Sequence, residues 1–193
     1  MGRRSLREER QNQILDAFEL ALVELGYAGA TLERIAARAD VHRTIIRHYF
    51  GGRDELVAAL LERLRSRYSE RYRYDDVEGT PRERLERLLD TMFLSQTQGP
   101  PSMDRVFDAL YAAGSTDPAV SSFLIEFYRD ASRRLSALIR EAHPSAPTDS
   151  VREVATGVLG LAVGHSILDT IEPVRERAKR LRRVAAGLLD RLG

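Results

Sequence analysis

The apolar residues Ile14, Ala17, Phe18, Ala21, Leu22 and Leu25 recur at i, i+3, i+4, i+7, i+8 and i+11. That spacing puts one stripe on a single face of an α-helix. The same period returns in Leu85, Leu88, Leu89, Met92 and Phe93, and again in Val120, Phe123, Leu124, Phe127 and Tyr128. No stretch alternates as a half-buried strand does. A chain built only from amphipathic helices can hide its stripes only by packing helix on helix. The fold class is therefore predicted as all-α, with about nine helices.

Breakers divide the periodic stretches. Gly26 stops the first helix, and Thr31 is a good N-cap for a short second one. Asp40 marks a turn, a third helix follows, and Gly51-Gly52 ends it. Asp54 and Glu55 suit the positive end of a fourth helix running to about Tyr74. Polar connections are expected at 75–80, 99–102 and 143–149. Thr80-Pro81-Arg82-Glu83 is a capping box with proline at the first helical position. Asp117-Pro118 opens another helix, and Glu172-Pro173 separates the last two, Val151 to Ile171 and Val174 to Leu192.

The chain of 193 residues carries a net charge of only +1 and no cysteine. No overall field points to an anionic partner, so any basic surface must be local. Disulfides and thiolate chemistry are excluded. Asp16 and Glu19 interrupt the first apolar residues, so no secretory signal is read. The longest uncharged run, Val154 to Leu168, contains three glycines and His165 and is too short to span a bilayer. A cytoplasmic protein without a membrane partner is expected.

Local basic character is found in "VHRTIIRHYFGGRDEL", Val41 to Leu56, which holds two of the four histidines. On a helical wheel Arg43 and Arg47 are i, i+4 neighbours, as are Thr44 and His48, while Ile46 and Phe50 pair on another side. One face buries; the other offers guanidinium, hydroxyl and imidazole. Arginine can grip guanine bidentately in the major groove, and hydroxyls and imidazoles reach base edges or phosphates. Two short helices joined by a tight turn suggest a helix-turn-helix.

Gly26-Tyr27, Thr31, Ile35-Ala36, Ala39, Val41, Tyr49-Phe50, Arg53 and Leu56 fall at a spacing that resembles the TetR family of transcriptional regulators, over roughly the first 60 residues. The resemblance implies a helix-turn-helix DNA-binding domain over 1–52 and a helical ligand-binding and dimerisation domain over 53–193. It implies a homodimer that binds a near-palindromic double-stranded DNA operator and, as a repressor, is released by a small-molecule effector. Thr31 and Tyr49 would contact phosphates, Arg53 would hold the backbone, and Arg43, Thr44 and Arg47 would face bases or nearby phosphates, with His42 and His48 beside them. Arg3, Arg4 and Arg7 form an arm that could reach a minor groove. The sequence departs from the family pattern at Asp40, where the family has glycine, at His42, where it has serine, and at Thr44-Ile45 and Arg47. A different operator sequence accounts for these changes. The alternative reading is a dimeric small-molecule-binding protein with a degenerate head.

Downstream, Met92, Phe93, Phe107, Tyr111, Phe123, Phe127 and His165 are candidate effector contacts, although aromatic residues at helical spacing also build core. Gly157, Gly160 and Gly164 share a helix face. Interior glycine costs ~1 kcal/mol against alanine, so three together suggest a close backbone approach. In the family the last two helices form the dimer interface, which places these glycines there with Leu181 and Leu188. The chain has no phosphate-binding glycine loop, no HExxH and no complete Gly-x-Ser-x-Gly. No catalytic residue, metal or cofactor is therefore expected.

Overall fold

The computed structural model describes residues 3–72, 78–94 and 103–193, with side chains from Leu6 onward. The arm residues Arg3 and Arg4 and the expected connections at 75–77 and 99–102 lie wholly or partly outside the described residues. Nine helices are found among those described, and no strand: α1 (Arg3–Gly29), α2 (Leu32–Arg38), α3 (Arg43–Phe50), α4 (Arg53–Arg71), α5 (Pro81–Phe93), α6 (Met103–Ala113), α7 (Pro118–Ala142), α8 (Thr148–Ile171) and α9 (Arg175–Asp190). The breaks expected at Gly51-Gly52, Asp117-Pro118 and Glu172-Pro173 fall at the ends of these elements, whereas the stop expected at Gly26 falls inside α1, which continues to Gly29. Gly26 interrupts α1 with φ 69° and ψ 172°, a conformation essentially restricted to glycine.

The chain forms two compact units. The first holds α1 to α3, α4 up to Tyr68, α6 and α7 up to Leu124. Helix α1 packs on α2, α3 and α6. Its stripe, Ile14, Phe18, Ala21 and Leu22, is wholly buried, as are Ile35 of α2 and Ile46 of α3. Part of the arginine-rich run on α4 turns inward. Arg67 Nη1 donates to both carboxylate oxygens of Glu19 at 2.8 Å, and Arg63 Nε lies 3.4 Å from the same carboxylate. Glu19 is only 2% exposed, and a buried carboxylate needs such partners.

In the second unit α9 packs on α5 and α8, around Leu85, Leu88, Leu89, Leu135, Ile139, Val158 and Leu189. The predicted capping box opens α5: Thr80 Oγ1 accepts from Glu83 N at 3.3 Å and Thr80 N donates to Glu83 Oε2 at 2.8 Å. Helix α8, with 24 residues, is long and apolar enough by length and composition alone to cross a membrane, and 22% of its apolar window is buried.

The turn between α2 and α3 is a Schellman motif: Val41 N donates to Ala36 O at 3.0 Å and Asp40 N to Ala37 O at 3.3 Å. It places Asp40 at φ 47°, the one described non-glycine residue with positive φ. Aspartate tolerates this region better than most residues but still pays for its Cβ. Replacing Asp40 by glycine is expected to stabilise the protein by about 0.5–1 kcal/mol, and Asp40→Val to cost about 1–3 kcal/mol. Urea unfolding curves of the two variants check the pair.

Candidate nucleic-acid interface

The interface is built from two helix starts. Thr31 caps α2, its Oγ1 accepting from Arg34 N at 3.4 Å. His42 caps α3 in place of a hydroxyl residue: Nδ1 accepts from Thr44 N at 3.4 Å and lies 2.9 Å from Thr44 Oγ1. An Nδ1 that accepts cannot carry the proton, so in this arrangement the ring presents Nε2–H. The turn between the helices is tied to α1 by Gln13, whose Nε2 donates to Ala39 O at 2.6 Å.

Helix α3 sorts its residues as the wheel predicts. Ile46 is buried, Ile45, Tyr49 and Phe50 are half-buried, and Arg43, Thr44, Arg47 and His48 are exposed. The four outward side chains share one continuous face. Arg47 has no hydrogen-bond or ion-pair partner among the described residues. Arg43 Nη1 pairs with Glu33 at 2.6 Å, both side chains about half exposed. The Glu33 carboxyl is held below the ordinary carboxylate range by its own backbone amide, helped by Arg43 and the Thr31 hydroxyl. Tyr49 meets the His48 ring edge-on with centroids 5.2 Å apart, and the Arg7 guanidinium lies 5.7 Å over the Tyr49 ring. The part of the arm described therefore touches α3.

Arg53 has a different setting. Nη1 donates to Ala30 O at 2.6 Å and Nη2 to Tyr27 O at 2.9 Å, with the guanidinium 5.0 Å over the Tyr27 ring. It secures the connection between α1 and α2, immediately before Thr31, and its fork is committed to carbonyls rather than turned outward. Tyr27 OH donates to Asp117 Oδ2 at 2.5 Å. Burial, and then this bond, push the Tyr27 hydroxyl above its ordinary range; the same bond is the main cause holding Asp117 below its own. Gln13, Tyr27, Glu33 and Asp117 were not singled out as site residues from sequence. Only tertiary contact reveals their partners, although Asp117-Pro118 did mark a helix start.

The downstream candidates separate into the two units. Phe107 packs against Phe123, Tyr111 and Tyr68 in the first, with centroids 6.2–6.5 Å apart, and the Arg65 guanidinium lies 5.5 Å over Phe123. Phe93 and His165 stack in the second, with centroids 5.8 Å apart. His165 Nε2 donates to Phe93 O at 3.0 Å, and its Nδ1 is buried without a hydrogen-bond partner. Met92 is half-buried beside this core, and Phe127 is buried against Tyr128. The three glycines also differ. A Cβ on Gly157 would come 3.2 Å from Leu188 of the same chain, whereas one on Gly160 or Gly164 would meet nothing within 4 Å. Leu181 and Leu188 are half-buried against the core of their own unit.

Residues 14–60 match the model of the tetR family of bacterial regulatory proteins, and residues 81–193 match the C-terminal model of the BetI-type transcriptional repressor. The HTH-type transcriptional regulator BetI of Stenotrophomonas maltophilia is 28% identical over 195 residues, covering 98% of this chain and 96% of that protein. A TetR transcription regulator from Haloarcula marismortui superimposes with a TM-score of 0.80 at 22% identity, over 96% of this chain and 98% of that one. A transcriptional regulator from Saccharomonospora viridis, solved in complex with choline, gives a TM-score of 0.76 at 17% identity over 95% and 96%. Matched at its helix-turn-helix and over its whole C-terminal part, the chain belongs to the TetR family of DNA-binding transcriptional regulators.

Proposed function

We propose that the protein works as a homodimeric repressor whose two α3 helices enter successive major grooves of a near-palindromic operator, and that a small molecule acting on the region after residue 52 releases it. The observation that carries this reading is the outward face of α3, four polar side chains on a helix anchored through Ile46. Arg47, Thr44 and His48 are the base-reading candidates. Arg43 joins them once it leaves Glu33, because a carboxylate at that edge repels phosphate. Thr31 and Tyr49 are proposed phosphate contacts, with His42 holding the start of α3. Arg53 serves by fixing the connection that carries Thr31. The choline bound to the Saccharomonospora viridis regulator suggests a cationic effector as the first class to test. The aromatic groups around Phe107 and around Phe93 and His165 are the candidate contacts, since aromatic faces attract cations.

The dimer reading rests on an uncovered apolar surface. Ile167, Leu168 and Ile171 of α8 and Val184 of α9 are 41–76% exposed, and Gly160, Gly164 and Gly187 leave open space on the same two helices. A partner chain would remove this surface from water.

Retention of genomic DNA fragments tests the whole reading. Arg47→Ala is expected to cost about 1–3 kcal/mol on the best fragment and to relax preference at one base pair. Glu33→Gln is expected to tighten binding several-fold by freeing Arg43. Arg53→Ala should lower the unfolding free energy by about 1–3 kcal/mol through its two lost carbonyl bonds, leaving the salt slope of DNA binding unchanged; a slope reduced by about one per subunit would make Arg53 a phosphate contact instead. Denaturation and fluorescence titrations in a salt series read these outcomes. For the dimer, Gly160→Glu should sediment as a monomer and fail to retain the fragment. The new side chain fits the isolated chain and improves helix propensity, so misfolding does not account for that result. A Gly160→Glu dimer of wild-type affinity would remove this face from the interface.

A further inference from the structure

We propose that the hydrogen bond from Tyr27 to Asp117 is the link by which the start of α7 holds the DNA-reading helices in their binding geometry, which makes both residues positioning residues for operator binding. The proposal rests on the operator reading of α3 given above.

Asp117 has two tasks. Its Oδ1 accepts from Ala119 N at 2.9 Å and from Val120 N at 3.3 Å, capping the first turn of α7. Its Oδ2 accepts the Tyr27 hydroxyl at 2.5 Å. A carboxylate that caps a helix moves with that helix, so a shift or rotation of the first turn of α7 carries Oδ2 with it. At the other end, Tyr27 O and Ala30 O are gripped together by Arg53. Ala30 precedes Thr31, the N-cap of α2. Two side chains thus connect the amide end of α7 to the cap of the helix that precedes the reading helix.

The link is stiff. Tyr27 has few rotatable bonds, its ring lies under the Arg53 guanidinium, and the bond is charge-assisted, since Asp117 is held ionised while the Tyr27 hydroxyl is held protonated. An open cleft of about 480 Å³, lined by Tyr27, Thr31, Arg43, Arg53 and Asp117, lies beside it. Helix α7 itself is not confined to the first unit. It continues to Ala142, and its Leu135, Leu138 and Ile139 belong to the core of the second.

Two variants cut the link and spare its surroundings. Tyr27→Phe keeps the ring under Arg53. Asp117→Ser keeps an N-cap as good as aspartate but cannot reach Tyr27. The probe is the duplex fragment that the wild type retains from sheared genomic DNA, and the readout is amide hydrogen exchange at Ala119 and Val120 with and without it. In the wild type, DNA is expected to slow exchange there about tenfold or more; in either variant the change should be under about twofold. The affinity of each variant should fall about tenfold, the value of one charge-assisted bond, and the double variant should fall no further. Thermal melts confirm folding, and Tyr27→Phe decides alone if Asp117→Ser does not fold. Protection of α7 at the wild-type level in folded variants overturns the proposal. So does a double variant whose loss is the product of the single losses, because the two residues then act separately. If the wild type retains no fragment, the operator reading fails first, visibly and without any variant, and the link falls with it.

Discussion

Burial of one stripe on α1 is the constraint on which the reading head depends. Helices α2 and α3 have 7 and 8 residues, and isolated helices of that length are unstable in water. They hold their shape because Ile35 and Ile46 close against a core that includes Ile14, Phe18 and Leu22, all wholly buried. Full burial of such side chains contributes about 1.5–3 kcal/mol each. Helix α4 is secured to the same helix by charge, through Glu19 with Arg63 and Arg67. Only the carboxylate is buried, while Arg63 and Arg67 keep 22% and 38% exposure, and loss of either arginine would leave that carboxylate poorly matched.

Apolar packing brings these helices together without setting their angles finely, because hydrophobic attraction is nondirectional. Direction comes from polar side chains that end on backbone. Gln13 reaches Ala39 O, Arg53 reaches Tyr27 O and Ala30 O, and His42 reaches the Thr44 amide. Each holds a helix end or a connection beside the face of α3. Specific recognition of a groove needs side chains held to a fraction of an ångström, which suits a head in which both ends of α2 and the start of α3 are tied down.

The second unit handles its surfaces differently along one helix. On α8, Gly157 admits Leu188 of the same chain, while Gly160 and Gly164 face open space beside exposed isoleucines and leucines. One glycine series therefore has two settings, close packing within the chain at Gly157 and open space at Gly160 and Gly164. His165, with Nε2 satisfied and Nδ1 not, is one of the buried polar side chains of this unit, with Ser136 and His143.

The sequence by itself determined the helices, their breaks and the two faces of α3, because these follow from local rules: the 3.6-residue period, capping chemistry at Thr31 and Thr80, and the conformation that only glycine adopts at Gly26. It also placed the family, since its scaffold residues lie close together in the chain. What only the tertiary structure decided are the pairings between distant residues. Sequence spacing carries no sign that Arg53 would face carbonyls 23 and 26 residues back, that Glu33 would hold Arg43, or that the aromatic candidates would divide between two cores. Nor does it show Tyr27 meeting Asp117 across 90 residues. Such contacts depend on how helices dock, and docking is set by the summed shape of many buried side chains rather than by any one of them.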